Sequence, residues 1–350
     1  MRRLPVAALA VALVACGGAD PVPRATPSPS TAAPTTAAPA TVAPPTAAPS
    51  PKATAGRTRP ITIVLGGDVD FDRAVRRAIA DGGVDAPWQG IAPTLRAADL
   101  AFLNLECSVS TRGTPEHKTY TFRGDPSAVR GARNAGVDVF SLANNHTFDY
   151  GVDAFYDTLD AVHAAGIKTT GAGRTLAEAH APAVFEVGGR RVAFLGISAI
   201  IPAPKWKATA THPGVAYDDD AQIAAQVRAA RRVADIVIPY FHWGIEYTYR
   251  PNAEQKRAAR AAIRAGATMV IGGHTHVLQP VETYEGRLVA WSMSNLVFQS
   301  RPESVHTQLL KVTVNPDDSV VWETEPYVIS GGVPRPEPSR PRQSGRVPAP

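Results

Sequence analysis

The chain has 350 residues, of which 44% are hydrophobic and 19% charged, so it can build a sizeable core and general disorder is excluded. The net charge is +5, but residues 1–60 carry +5 and residues 333–350 carry +3, which leaves −3 for residues 61–332. A mildly acidic centre argues against a nucleic-acid-binding surface. The two cysteines are too few for a secreted scaffold held together by disulfides.

The first residues are typical of a bacterial lipoprotein signal. Met1-Arg2-Arg3 precedes an apolar run over residues 4–15, which is shorter than the roughly 20 residues that span a bilayer. The run ends in Leu13-Val14-Ala15-Cys16-Gly17, which looks like a lipobox. The sequence therefore predicts a signal peptide at 1–15, lipidation of Cys16 and an extracytoplasmic protein anchored to the cell membrane. The alternative is an ordinary secretory signal that contains a chance cysteine.

Composition predicts disordered flanks around one domain. Residues 16–60 follow the signal as a Pro/Ala/Thr-rich linker with almost no large apolar side chains. Residues 333–350 are rich in proline and arginine and are predicted to be disordered as well. Between these flanks, residues 61–332 show no second linker and no internal repeat.

Apolar runs and helical periodicity alternate through this domain. Strands are predicted at 61–65, 100–105, 137–142, 183–187, 191–197, 236–240, 268–271, 288–292, 308–314 and 320–327. Helices are predicted at 72–80, 152–164, 219–233 and 253–265. Alternating β and α elements followed by a β-rich end indicate a layered α/β fold.

Polar side chains with metal-binding chemistry follow the strands of this pattern. They are Asp68, Glu106, Asn145, His146, His242, His274 and His276. Ligands bind at the carboxyl ends of strands in open α/β sheets, and this mixture of carboxylate, amide and imidazole groups suits a pair of divalent metal ions. Taken singly, Asp68 is equally explained as a turn or helix-capping residue, Asn144 as a turn residue and His242 as a core histidine.

The chain resembles a known family through a series of segments in order. They are Gly67-Asp68-Val69, Phe102-Leu103-Asn104-Leu105-Glu106, Ala143-Asn144-Asn145-His146 with Asp149-Tyr150-Gly151, Gly171-Ala172-Gly173, His242-Trp243-Gly244, Gly273-His274-Thr275-His276-Val277-Leu278-Gln279 and Ser294-Asn295-Leu296-Val297-Phe298. These segments are similar to those of bacterial poly-γ-glutamate capsule synthesis proteins of the CapA type, within the calcineurin-like metallophosphoesterase superfamily. The resemblance implies a single-domain, four-layer α/β/β/α sandwich with a dinuclear metal site.

The resemblance also implies a role for each site residue. Asp68 and His276 would hold the first metal ion, Glu106 would bridge, and Asn145, His242 and His274 would hold the second. His146 would be the acid–base group that is not a ligand. The implied cofactors are two divalent ions, drawn from Mn, Fe, Zn and Mg.

Asp70 stands where the broader superfamily has the histidine of an Asp-x-His motif. Residues i and i+2 of an extended strand point the same way, so Asp68 and Asp70 could face one cation, and the extra carboxylate would favour Mn²⁺ or Mg²⁺ over Zn²⁺. The alternative is that Asp70 caps the helix that begins near Asp72.

Three further residues are candidates for binding an anionic substrate. They are Lys118, Arg123 and Asn144. An arginine fork suits a phosphate or carboxylate group, whereas a solvated loop explains Lys118 and Arg123 equally well.

Two functions are compatible with these features. One is a metal-dependent hydrolase of phosphoester or amide bonds that acts in the synthesis of a poly-γ-glutamate capsule or another envelope polymer. The other is a non-catalytic anchor or assembly factor for such an anionic polymer. Expected partners are the membrane, the polymer or its precursor and a capsule-synthesis membrane complex, with no nucleic acid.

Overall fold

A computed structural model describes residues 59–349, which form two large β-sheets, two short ribbons and flanking helices. The strands are β1 (Ile61–Val69), β2 (Leu100–Leu105), β3 (Ser108–Val109), β4 (Arg123–Gly124), β5 (Val139–Ser141), β6 (Lys168–Thr170), β7 (Ala172–Gly173), β8 (Ala183–Val187), β9 (Arg190–Ser198), β10 (Gly214–Val215), β11 (Ile236–His242), β12 (Met269–Gly273), β13 (Val281–Tyr284), β14 (Arg287–Ala290), β15 (Asn295–Val297), β16 (His306–Val314), β17 (Val320–Ser330), β18 (Val333–Pro336) and β19 (Ser344–Val347). The helices are α1 (Arg73–Gly82), α2 (Ala92–Arg96), α3 (Ala128–Ala135), α4 (Gly151–Ala164), α5 (Leu176–Ala179), α6 (Asp220–Val233) and α7 (Ala253–Arg264).

All the helices and strands predicted from the periodicity are present, within a few residues of the expected bounds. The sequence pattern missed α2, α3 and α5, which are too short or too poor in large apolar residues to show a clear helical period.

The first sheet has the strand order β18-β17-β16-β1-β2-β5-β6, with β15 paired to β1 and β19 paired to β17. The second has the order β13-β14-β12-β11-β9-β8. Their central strands run parallel: β1 with β2, β2 with β5, and β11 with both β9 and β12. The antiparallel pairs lie toward the β-rich C-terminal part and at the β8–β9 hairpin.

Alternation along the strands divides the core into layers. On β1, Ile63 and Leu65 face one cluster of buried side chains, while Val64 between them belongs to another. The first cluster lies between the two sheets, where the rings of Phe102 and Phe194 stack at 5.3 Å. Helices α1 to α4 cover the outer face of the first sheet, and α6 and α7 cover the outer face of the second. The fold is therefore the expected α/β/β/α sandwich.

The prediction of disorder for residues 333–350 is wrong for most of that segment. Strands β18 and β19 both pair antiparallel with β17, and Val347 is buried against the core between the sheets. Backbone hydrogen bonds to the long β17 strand order this segment despite its composition, and prolines are tolerated because the strands lie at the sheet edge. The signal peptide, Cys16 and the linker up to residue 58 lie outside the described residues. Within residues 59–349, no helix has both the length and the apolar character needed to cross a membrane.

Candidate metal centre

The ends of parallel strands bring the predicted ligands to one edge of the sandwich. Asp68 belongs to β1 and is in register with Asn104 of β2, and Glu106 follows at the end of β2. His242 closes β11 opposite Gly273 of β12, and the loop after β12 carries the remaining histidines. The strand-end pattern in the sequence thus corresponds to one cluster in space.

Two groups of possible ligands share one carboxylate. One ligand atom from each of Asp68, Glu106 and His276 lies within 4.8 Å of the others, and the same holds for Glu106, His242 and His274. The Asn145 Oδ1 atom lies 2.8 Å from His242 Nε2 and so adjoins the second group. The structure therefore brings together the six residues named for the two metals.

Glu106 provides a direct test of whether these residues suit a metal ion. Its side chain is fully buried, and neither carboxylate oxygen has a hydrogen-bond partner within the described part of the chain. Its Oε1 atom lies 3.3 Å from His242 Nε2. Burial, reinforced by the charge of Asp68, raises the pKa of Glu106 well above its usual range. A buried carboxylate without donors is costly unless a cation neutralises it, so the residues present fit a divalent metal.

Two of the histidines, His242 and His274, have the protonation state that metal binding requires. Burial lowers the pKa of His242 to about 4, and burial with the charge of His242 lowers the pKa of His274 well below its usual range. Both imidazoles are therefore neutral near pH 7 and can offer a nitrogen lone pair to a metal. His274 and His276 both have left-handed backbones, with φ of 86° and 57°, a strained conformation that recurs at functional sites.

Three polar residues that sequence reasoning missed hold the ligands in place. Asn104 Nδ2 and the Tyr240 hydroxyl donate to Asp68 Oδ1 at 2.9 and 3.1 Å, and Asn295 Oδ1 lies 2.8 Å from His276 Nδ1. The available signal was spacing, because Asn104 and Tyr240 each precede a ligand by two residues and share its side of the strand.

The glycine before His274 is required by close packing. A Cβ atom at Gly273 would overlap the Tyr240 hydroxyl and lie 2.8 Å from Asp68 Oδ1. Any larger residue would therefore displace the support of Asp68 as well as the histidine loop.

His146 is held beside the cluster by a buried acid. Its Nδ1 atom lies 2.7 Å from Asp149 Oδ2, and its Nε2 atom lies 4.0 Å from Glu106 Oε1. Burial and the charge of Lys118 lower the pKa of His146 well below its usual range. Asp149 Oδ2 and the Lys118 ammonium, which lies 3.1 Å from the same Nδ1 atom, hold the ring so that Nε2 faces the cluster. Asp149 was part of the recognised motif, but no role was assigned to it from the sequence.

Lys118 contacts Asp149, which differs from the role expected for it. Its ammonium donates to Asp149 Oδ1 at 2.5 Å and to the Asn145 carbonyl at 2.7 Å, and it lies over the Trp206 ring. Burial raises the pKa of Asp149 to about 7 and the Lys118 ammonium opposes that rise. These contacts indicate a positioning role for Lys118 behind His146, and binding of substrate by Lys118 stays a prediction.

The polar groups of Asn144 and Arg123 contact other parts of the protein. Asn144 is fully buried; its amide donates to Asn104 and to the Leu105 carbonyl, and its Oδ1 accepts from the backbone N–H of His146. The Arg123 guanidinium lies 4.2 Å from the centre of the Tyr150 ring, outside the cavity described below. Substrate binding by Asn144 and Arg123 stays a prediction, since the structure shows only their contacts within the protein.

Asp70 is fully buried beside the cluster but outside both ligand groups. Its Oδ1 atom accepts from the backbone N–H of Asp72 at 2.5 Å, while Oδ2 has no hydrogen-bond partner in the described structure. Burial raises the pKa of Asp70 to about 8. Asp72 is the N-cap of α1 and accepts from the N–H of Arg73, so Asp70 does not occupy the cap position itself but satisfies the N–H of the cap residue.

An open cavity leads from the surface to this cluster. Its lining includes Asp70, Arg73, Tyr120, Phe122, His146, Glu246, Tyr247, His276, Asn295, Phe298 and Arg301. The edge of the sheets that carries the candidate metal ligands is therefore accessible to a ligand.

Comparison with known families decides the classification. The model of the bacterial capsule synthesis protein family PGA_cap matches residues 62–300, a range that contains every residue of the two ligand groups. The chain belongs to the PGA_cap family. Strands β16 to β19, which complete the first sheet, lie beyond the matched range.

Two PGA_cap relatives extend this finding. The chain is 30% identical over 274 residues to "PGA biosynthesis protein CapA" of Bacillus subtilis, covering 77% of this chain and 72% of that protein. It is 28% identical over 285 residues to "Capsule biosynthesis protein CapA" of Bacillus anthracis, covering 79% and 69%. Among solved structures, the calcineurin-like phosphoesterase YfkN of Bacillus subtilis matches with a TM-score of 0.42 and 16% identity, covering 83% of this chain and 91% of that one.

Proposed function

We propose that this PGA_cap protein is a metal-dependent hydrolase that acts on a phosphoester or γ-glutamyl amide bond during synthesis of poly-γ-glutamate capsule or another envelope polymer. The observation that carries the proposal is the position of His146. A buried acid orients its ring, and its Nε2 atom lies 4.0 Å from the carboxylate shared by the two ligand groups. A protein that only anchors a polymer has no need for an oriented acid–base group at a metal site.

In this proposal Asp68 and His276 hold one divalent ion, Asn145, His242 and His274 hold a second, and Glu106 is shared. When bound, such ions supply Lewis acidity and activate water. Mn, Fe, Zn and Mg remain the candidate ions, since the donors include both imidazole nitrogens and carboxylate oxygens.

The protein's own residues carry out the proton transfer at the reacting centre. His146, which is neutral at rest, receives a proton at Nε2 from the reacting centre and then passes that proton to the leaving group, while Nδ1 stays in contact with Asp149 Oδ2. Asp149 stabilises the positive charge that the imidazole carries in its protonated state. Lys118 orients Asp149 through its contact with Oδ1. The hydrogen bonds of Asn104 and Tyr240 hold Asp68 toward the centre.

We also propose that the protein is anchored to the outer side of the cytoplasmic membrane through a lipid on Cys16. The Pro/Ala/Thr-rich linker would then act as a spacer. This part rests on the N-terminal sequence alone. A diacylated cysteine gives firm anchoring where a single acyl chain gives weak binding. In that location the partners would be an anionic envelope polymer or its precursor, together with a capsule-synthesis membrane complex.

Elemental analysis of the purified full chain, followed by a hydrolysis screen over phosphoesters and γ-glutamyl peptides, tests the proposal. We expect bound divalent metal and turnover of one substrate class. The double variant His274→Ala/His276→Ala should lose most of the metal and all turnover, while the exposed His163→Ala should match wild type. A metal-loaded protein that turns over nothing in the screen would favour the anchoring or assembly role instead.

A further inference from the structure

Arg73 has an unusual backbone for the first residue of a helix. Its φ is 49°, in the left-handed region that residues with a Cβ rarely adopt. Arg76 and Arg77 on the same helix are exposed, whereas Arg73 is half-buried and lines the cavity with Asp70, His146 and His276. Strain of this kind persists where the surrounding structure holds it, and such positions cluster at ligand-binding sites.

The Arg73 guanidinium is held by aromatic rings. It lies 5.5 Å from the centre of the Tyr120 ring and 5.2 Å from that of Phe122. Within residues 59–349, no hydrogen bond or ion pair from this guanidinium to the protein is found. Cation–π contacts fix the position of the group and leave its N–H donors available for a ligand.

A second guanidinium enters the same cavity from the loop after β15. Arg301 lies 6.0 Å from the centre of the same Tyr120 ring and 5.6 Å from that of Tyr247. Its Nη2 atom donates to the Tyr120 hydroxyl at 2.9 Å. Both guanidiniums line one cavity, so an anion bound there would be attracted by two positive charges.

We propose that Arg73 and Arg301 form an oxyanion subsite that binds a carboxylate or phosphate group of the substrate next to His276. Planar guanidinium groups match the paired oxygens of either anion. The cavity lining includes two acids, Asp70 and Glu246, which do not attract an anion. The attraction for an anion therefore has to come from Arg73 and Arg301. This inference rests on the proposed function and adds that the substrate carries an anionic group close to the bond that is cleaved.

Isothermal titration calorimetry of the full chain with inorganic phosphate and with glutarate tests the subsite by binding alone. The proteins are wild type, Arg73→Gln, Arg301→Gln and the matched control Arg77→Gln, which removes the same charge from an exposed position on α1. Elemental analysis confirms equal metal content. We expect Arg73→Gln and Arg301→Gln each to weaken binding at least tenfold and Arg77→Gln to stay within twofold of wild type. The anion with the larger loss identifies a phosphate-binding or a carboxylate-binding subsite.

Equal affinities in all four proteins would overturn the inference, because the anions would then bind without the arginines. The inference would also be overturned if the wild-type protein bound neither anion. Arg73→Gly guards against a folding artefact, since glycine accepts the left-handed backbone while lacking the guanidinium, and it should also lose binding. These experiments distinguish failure of the proposed hydrolase function from failure of the proposed anion subsite. Arginine-dependent binding without turnover would reject only the hydrolase, and turnover with no effect of Arg73→Gln on affinity would reject only the subsite.

Discussion

The Nδ1 atom of His146 lies 2.7 Å from Oδ2 of Asp149, three residues later in the same turn after β5. Because His146 belongs to neither of the two ligand groups, it can be removed without removing one of the assigned metal ligands. We expect His146→Ala to keep its metal content and fold while turnover falls by about 10²–10⁴-fold. Steady-state kinetics with elemental analysis measures both. Loss of metal would make His146 a ligand, and unchanged turnover would make it structural.

The Lys118–Asp149 ion pair should stabilise the folded protein. Asp149 is fully buried and Lys118 mostly so, and removing either partner leaves an uncompensated charge. We expect Lys118→Met and Asp149→Asn each to lower the free energy of unfolding by about 3 kcal/mol. The double variant should cost less than the two losses together, because it removes both charges. Urea unfolding of the four proteins gives this cycle. Additive losses would show that the two side chains do not stabilise each other. A Lys118→Met variant with raised KM and normal stability would instead indicate that Lys118 contacts substrate.

Replacement of Glu106 should change stability in opposite directions with and without metal. In the metal-free protein Glu106 is a buried carboxylate without donors, so Glu106→Gln should leave stability unchanged or increase it. In the metal-loaded protein the same change removes the shared ligand and the stabilisation that comes with binding. Thermal melts in EDTA and in excess Mn²⁺ or Zn²⁺ test this reversal. An equal loss of stability in both conditions would argue that Glu106 is structural.

The backbone of Arg73 predicts an inversion of ordinary helix propensity. Glycine usually destabilises a helix interior relative to alanine by about 1 kcal/mol. At a φ of 49° the Cβ atom of alanine is sterically unfavourable, and glycine avoids this cost because it has no Cβ atom. We therefore expect Arg73→Gly to be more stable than Arg73→Ala by about 1 kcal/mol. Both variants lose the guanidinium, so their comparison isolates the backbone term. Chemical denaturation measures it, and a more stable alanine variant would contradict the left-handed assignment.

Anchoring depends on a residue outside the described structure. If Cys16 is lipidated, Cys16→Ser should release the protein from the membrane fraction or leave its precursor uncleaved. Fractionation with mass spectrometry of the N-terminus measures both outcomes. Normal processing together with unchanged membrane retention would reject the lipid anchor.

The amino-acid sequence determined the layered fold and the residues that meet at the metal centre. Alternating apolar residues specify which face of each strand is buried, as Ile63, Val64 and Leu65 illustrate. Parallel strands end at a common edge, so polar residues such as Asp68, Glu106 and His242 had to converge once the strands were recognised. Both features depend on local periodicity, which can be seen in the chain itself.

The tertiary structure alone decided which polar groups remain available to a ligand. Suitable chemistry for binding an anion is present in Lys118, Asn144 and Arg123, but each of these side chains contacts a distant part of the chain. The Arg73 guanidinium packs on an aromatic ring instead, which leaves its N–H donors available to a ligand. The edge strands β18 and β19 are a further case, since their order comes from hydrogen bonds to β17 and not from their own composition. Contacts between segments far apart in the chain determine which partners a side chain has and which strands lie beside each other. The local sequence pattern does not predict these contacts.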